Sequence, residues 1–215
     1  VDEIQHSLSQ HGVRPLERLA RLGLLGPHFI GVHAVHVNDA EIDLLAQHGC
    51  HVAHCPSSNL KLASGIAPLA RFAKAGVNTG FGTDGAASNN RLDLFAEMRL
   101  AALLAKGLSG DAAALPAAAA LKMATLDAAR ALNLDDRIGS IVPGKRADLV
   151  AVDLRNLACQ PVFDPVSQLV YVAGREHVTH VWVDGTLKLD NRRLVDLDTD
   201  DLTARAAYWR GKLTA

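Results

Sequence analysis

The chain has 215 residues, 49% of them hydrophobic, 21% charged and only 4% aromatic, with 22 Lys and Arg against 23 Asp and Glu. Such a length holds about one or two domains around a sizeable core. A net charge of -1, with no basic run longer than a pair, gives no electrostatic footprint for nucleic acid or an anionic membrane. Pro116 and Lys122 interrupt even the Ala-rich stretch 112–124, so nothing approaches the roughly 18 apolar residues of a membrane span.

These features predict a soluble protein without nucleic-acid or membrane partners. Three cysteines, Cys50, Cys55 and Cys159, point to a reducing cytoplasm rather than a disulfide framework. The opening Val1-Asp2-Glu3-Ile4 has neither an initiator Met nor a charged-then-apolar leader, and a fragment or processed chain is expected.

Residues 1–24 read as helical, with Ile4, Leu8, Leu16, Leu19 and Leu22 at helical spacing and Gly12 and Gly23 as stops. Residues 29–33 form a short β-rich run. Asn38-Asp39-Ala40-Glu41 then has the form of a capping box opening a helix that ends at Gly49. The unit recurs: strand 51–54, a loop from Pro56 to Pro68, helix 69–75 closed by Gly76, strand 77–82 and helix 91–106. Alternating strands and helices predict an α/β fold with a parallel sheet.

Residues 112–132 carry high helix propensity, broken at Pro116 and restarted near Thr125 as N-cap. Residues 141–144 read as a turn and 147–152 as a strand. Strands 178–183 and 186–189 flank Asp184-Gly185, a strong hairpin signal, so a small antiparallel β unit is expected. Residues 200–213 close the chain as a polar helix with Tyr208 and Trp209 as packing anchors.

Eight of the ten histidines lie in the first 54 residues. His33 and His54 fall at the carboxyl ends of two predicted parallel strands, and Asp84 follows the third. Loops and ligands gather at that edge in parallel α/β folds. His, His and Asp suit a divalent metal and proton transfer, although each alone is equally a hydrogen-bonded structural residue.

The His48-Gly49-Cys50-His51 to Cys55 stretch resembles a zinc cluster, but strand alternation splits its side chains between two faces. His48 reads as the last turn of a helix, and Cys50 and Cys55 as inert small hydrophobes. Gly80-Phe81-Gly82-Thr83-Asp84-Gly85 matches a dinucleotide fingerprint literally, yet loop rather than helix follows it. His6, His11 and His28 read as surface positions, His36 as a loop residue, and His177 and His180 as part of the β unit.

The segments Gly31 to His36, His54 to Leu62 (HCPSSNLKL), Gly82 to Asn90 (GTDGAASNN) and Gly139 to Leu149 (GSIVPGKRADL) together resemble the amidohydrolase superfamily. Within it they are most similar to the 5-methylthioadenosine/S-adenosylhomocysteine deaminase group, which stands beside the triazine chlorohydrolases. The resemblance spans essentially the whole chain, with four motifs in order.

The resemblance implies the C-terminal part of a (β/α)8 TIM-type barrel, strands six to eight, plus part of a small β-sandwich. Residues 1–136 would form the barrel part, 137–199 part of a composite β-sandwich and 200–215 a C-terminal helix. His33 would be the histidine that orients the attacking water, and Asp84 the aspartate that ligates the metal and accepts the water's proton. His54, Asn59, Asp84 and Ser88 would meet substrate, with residues 85–90 forming the loop beneath a purine.

The implied cofactor is one divalent metal, zinc first, with iron or manganese as alternatives. The family's paired histidines, a further histidine ligand and an acid would all precede Val1, since neither His-x-His nor His-x-x-Glu occurs here. The implied partners are therefore a small-molecule substrate, the N-terminal half of the same protein and further copies in a homo-oligomer. The implied reaction is hydrolytic deamination of an adenine nucleoside. Triazine or guanine hydrolysis and a non-catalytic scaffold are the alternatives.

Overall fold

The computed structural model describes residues 2–214. Helices α1 (Asp2–His11) and α2 (Pro15–Arg21) open the chain, and Gly12 and Gly23 adopt left-handed φ of 69° and 68° just beyond them. Strand β1 (Ile30–Val32) leads to α3 (Asp39–Gln47). The predicted capping box is present: Asn38 Oδ1 accepts from the Glu41 N–H at 2.9 Å and Glu41 Oε2 accepts from the Asn38 N–H at 3.1 Å. His48 is the C-cap of that helix.

Strand β2 (His51–His54) is followed by α4 (Pro56–Lys61), where the sequence reading expected loop. Pro56 stands at the first helical position, where its missing N–H costs nothing and its fixed φ favours the helix. Helix α5 (Leu69–Ala75) ends at Gly76, whose φ of 77° supplies the left-handed cap, and β3 (Asn78–Phe81) follows. The three strands are parallel in the order β1-β2-β3, with Ile30 opposite His51 and His51 opposite Asn78.

Helix α6 (Leu94–Ser109) is capped by the Asp93 carboxylate. With α3 and α5 it covers one face of this sheet. Val52, Phe72, Ile42, Leu45, Met98 and Ala101 form one buried cluster there. Each of these side chains except the small Ala101 contributes about 1.5–3 kcal/mol by leaving water. Helices α7 (Ala117–Met123) and α8 (Leu126–Ala131) match the predicted break. Thr125 precedes α8 but donates its hydroxyl back to the Leu121 carbonyl instead of capping. A Cβ on Gly80 would stand 3.0 Å from the Ala128 Cα, so only glycine lets α8 approach β3 this closely.

Strand β4 (Leu149–Val152) precedes α9 (Pro165–Tyr171), a helix the sequence reading did not anticipate, which Asp164 caps. Strands β5 (Val178–Val183), β6 (Thr186–Asp190) and β7 (Arg193–Leu194) complete a four-stranded antiparallel sheet in chain order. Asp184 and Gly185 turn the β5–β6 hairpin with φ of 50° and 77°, the positive pair a type I′ turn requires.

Helix α10 (Thr199–Leu213) buries none of its residues. Tyr208 and Trp209 are each 57% exposed and lean edge-to-face on one another beneath the Lys212 ammonium, so they are not the packing anchors expected. Among the described residues no helix is long and apolar enough to cross a membrane, and β1 and β3 each keep one edge without a strand partner.

Candidate active site

His33 follows directly on β1 and Asp84 lies three residues beyond β3, at the same end of the parallel sheet. The His33 N–H still bonds the Ala53 carbonyl at 3.0 Å, as a further strand residue would. Its φ, however, is 68°, that of Ala34 is 45° and that of Asp84 is 61°. Non-glycine residues in this left-handed region cost about 1–2 kcal/mol each, and they persist where surrounding contacts hold them.

Those contacts come from α4. Ser58 Oγ donates to Asp84 Oδ2 at 2.7 Å. The neighbouring Asn59, almost fully buried, turns Oδ1 to His33 Nδ1 at 2.8 Å. With the Asn59 amide oxygen turned to Nδ1, this contact is a hydrogen bond in the tautomer that carries its proton on Nδ1 and leaves Nε2 free; Nε2 stands 3.8 Å from Asp84 Oδ2. The Gly85 N–H closes on Asp84 Oδ1 at 2.7 Å.

The Asp84 carboxyl is accordingly held down at about 2, first by the Ser58 hydroxyl, then by the Ser88 hydroxyl and the Gly85 N–H, with slight burial opposing and His33 assisting. The Ser88 hydroxyl donates to the Gly85 carbonyl at 3.1 Å, in the turn that follows Asp84. A cavity of about 530 Å³ opens beside His33 and Ser58, with Arg14 and His36 also in its lining.

The structure thus brings together His33, Asn59, Asp84 and Ser88 from the sequence-selected residues. It does not bring His54 to that cavity. His54 is 1% exposed, faces the Phe81 ring, lines a separate space beside α5 and α6, and has neither ring nitrogen hydrogen-bonded. Burial first, and repulsion from the neighbouring His33 ring whenever that ring is protonated, push its pKa down to about 4. The Cys55 thiol beside it is pushed up to about 11 by burial and then by the Asp84 and Glu97 carboxylates, as fits an inert residue.

His51 bonds the Pro27 carbonyl at 3.1 Å and the Asn78 amide at 3.0 Å, which is structural work. His177 accepts the Gly174 N–H, and His180 stacks on Trp182. The glycines at 80–85 precede a turn, and the next helix opens only at Leu94. The sequence marks Ser58 only as part of the 57–59 loop that bears on substrate, and its bond to Asp84 is visible only in the structure. Pro56 at a helix start was the available signal that Ser58 and Asn59 would share one turn.

His33 Nε2 and Asp84 offer lone pairs on one cleft, the donor types a divalent ion accepts. A catalytic ion takes about three protein ligands and a water, and among the described residues no three His, Cys, Asp or Glu side chains gather. The pair therefore fits as part of a metal's ligand set.

Residues 2–188 match the model of the amidohydrolase family. The chain is 50% identical over 214 residues to the 5-methylthioadenosine/S-adenosylhomocysteine deaminase of Teredinibacter turnerae, covering all of this chain and 48% of that protein. It is 47% identical to the corresponding deaminase of Saccharophagus degradans, of which it also covers 48%. The chain spans about half the length of the curated relatives it matches.

Among solved structures, a zinc-bound adenosine deaminase from Xanthomonas campestris superimposes with a TM-score of 0.97 at 52% identity, over all of this chain and 49% of that one. A zinc complex of atrazine chlorohydrolase from Arthrobacter aurescens does so with 0.90 at 29% identity, over 96% of this chain and 46% of that one. With these likenesses the fold is of the TIM-barrel α/β type. The chain belongs to the amidohydrolase family.

Proposed function

We propose that the chain is the C-terminal half of a metal-dependent deaminase that hydrolyses an adenine nucleoside such as 5-methylthioadenosine, S-adenosylhomocysteine or adenosine. The observation that carries this reading is His33 Nε2 set 3.8 Å from an Asp84 carboxylate that Ser58 and Gly85 hold ionised. In it, β1, β2 and β3 are barrel strands six, seven and eight. Residues 1–136 belong to the barrel, 137–199 to a composite β-sandwich and 200–215 to a terminal helix. The unpartnered edges of β1 and β3 support this placement, because a closed barrel would pair them.

Asp84 is the metal ligand assigned to this chain, with His33 beside it; the remaining ligands would come from the N-terminal half. A bound divalent ion, zinc first, supplies Lewis-acid activation of water. Asp84 takes the proton of the attacking water as its oxygen bonds to C6 of the adenine ring. His33 orients that water and stabilises the charge that develops. An acid outside this chain protonates the ring nitrogen, and Asp84 returns a proton to the departing amine. The C6–N bond breaks, releasing ammonia and the inosine-type product.

Asn59 sets the His33 tautomer, and Ser88 with residues 85–90 lies under the substrate. His54 stands as a buried neighbour that supports the strand end. The three cysteines, all free and buried, support a reducing cytoplasm. Assembly as a homo-oligomer is carried over from the family resemblance.

A triazine reading is favoured by one observation, the 0.90 superposition on atrazine chlorohydrolase. The same water activation would there displace chloride. Ammonia release from adenosine, methylthioadenosine, S-adenosylhomocysteine and guanine, alongside chloride release from atrazine, tests both with the protein at its relatives' full length. Turnover of an adenine nucleoside is expected. Turnover of atrazine alone would overturn the deaminase reading, and no turnover of any substrate would leave the scaffold reading.

A further inference from the structure

Glu97 lies on α6, behind the strand ends, and is 1% exposed. Its two oxygens meet neutral donors on two different loops. Oε2 accepts the Ser57 N–H at 2.9 Å, and Oε1 accepts Asn89 Nδ2 at 2.7 Å. Ser57 is the second residue of α4, and Cys55, in the N-cap position, makes no side-chain cap. The carboxylate therefore caps α4 from another element and meets the positive end of its backbone. The next two residues, Ser58 and Asn59, are those that hold Asp84 and His33. On the other loop the same Asn89 amide donates to the Thr83 carbonyl at 2.9 Å, one residue before Asp84.

Burying a carboxylate is unfavourable unless its lone pairs are used, and an apolar side chain would fill the same space without that penalty. We propose that Glu97 is a positioning residue: it clamps the loop after β2 to the loop after β3 and so sets Ser58 and Asn59 against Asp84 and His33. The inference rests on the deaminase reading only for what the site turns over. The clamp itself is geometric.

Glutamine cannot replace it. Both neighbours are donors, and the Asn89 oxygen already accepts from the Arg91 N–H at 3.2 Å, so the new amide NH2 would oppose one of them. Glu97→Gln, Ser58→Ala and their combination would be made in the protein at its relatives' full length. The readouts are kcat, KM, thermal midpoint and the ¹⁵N shifts of the His33 ring.

For Glu97→Gln, kcat is expected to fall about 10- to 100-fold with KM little changed and the variant folded at the assay temperature. Ser58→Ala should then cost far less in the Glu97→Gln background than alone, because both act on the same contact. Additive losses, or an unchanged kcat in folded protein, would overturn the proposal. If Glu97→Gln does not fold, Asn89→Ala opens only one side of the clamp and must show the same coupling to Ser58.

If the wild-type protein deaminates nothing, the functional reading fails, and the clamp is judged by the His33 ring alone. Its Nδ1 and Nε2 shifts should move in Glu97→Gln, and unmoved shifts would sink it.

Discussion

The Ser58 hydroxyl donates to the Asp84 carboxylate at 2.7 Å although one residue follows β2 and the other follows β3. That bond is the first cause holding the Asp84 pKa at about 2, against an ordinary 3.8. Removing it in Ser58→Ala should let the pKa rise toward the ordinary value. In the metal-free protein the Asp84 carboxyl should then titrate at higher pH than in wild type, as its ¹³C shift would report. A titration identical to wild type would show that the hydroxyl does not tune Asp84.

Asp84→Asn keeps the shape of the side chain but removes the proton acceptor. Loss of about 10²- to 10⁴-fold in kcat is expected, the usual range for a positioned acid or base. Zinc content measured on the same sample should fall as well, since the carboxylate is proposed to be a ligand. Full activity would remove Asp84 from both roles.

His54 gives the fold a pH dependence of its own. Its pKa is lowered from 6.5 to about 4, so between these values the unfolded chain binds a proton that the folded chain does not. Stability should therefore fall as pH drops from about 6.5 to about 4 and level off below, by at most about 3 kcal/mol. Urea midpoints across this range check it. His54→Leu, which places a hydrocarbon in the apolar space, should flatten that slope, and an unchanged slope would assign it to other groups.

Cys55 should be silent toward alkylating reagents in the native protein at neutral pH. Its thiol is pushed up to about 11 and is 2% exposed, so almost no accessible thiolate exists. Modification followed by mass spectrometry should find it labelled only after unfolding. Rapid native labelling would mean that the strand end opens readily.

Where a signal is local, the sequence was readable. Asn38 and Glu41 close a reciprocal cap over four residues, and Asp184-Gly185 turns a hairpin by itself. His33 and Asp84 were identifiable because strand ends in a parallel sheet collect chemistry, and the family motifs reinforced that. Helix α4 was missed because Ser57, Ser58 and Asn59 favour turns as readily as a first helical turn, and the carboxylate that caps them stands 40 residues away.

Tyr208 and Trp209 looked like anchors because large aromatics usually find cover, which nothing among the described residues provides. The direction of His54 follows from period-two alternation with Val52, which looks toward the helices.

That alternation gives the left-handed turn at His33 a consequence for engineering. Gly31 lies opposite Val52, so His33 in regular extended backbone would lie opposite His54 and share its orientation into the apolar layer. The φ of 68° at His33, followed by 45° at Ala34, is what swings the imidazole out to Asp84 instead. A graft of this half-site into another barrel must therefore carry the backbone reversal through Ala34. Copying the histidine onto a straight strand would deliver a second buried, unpaired imidazole and no cleft.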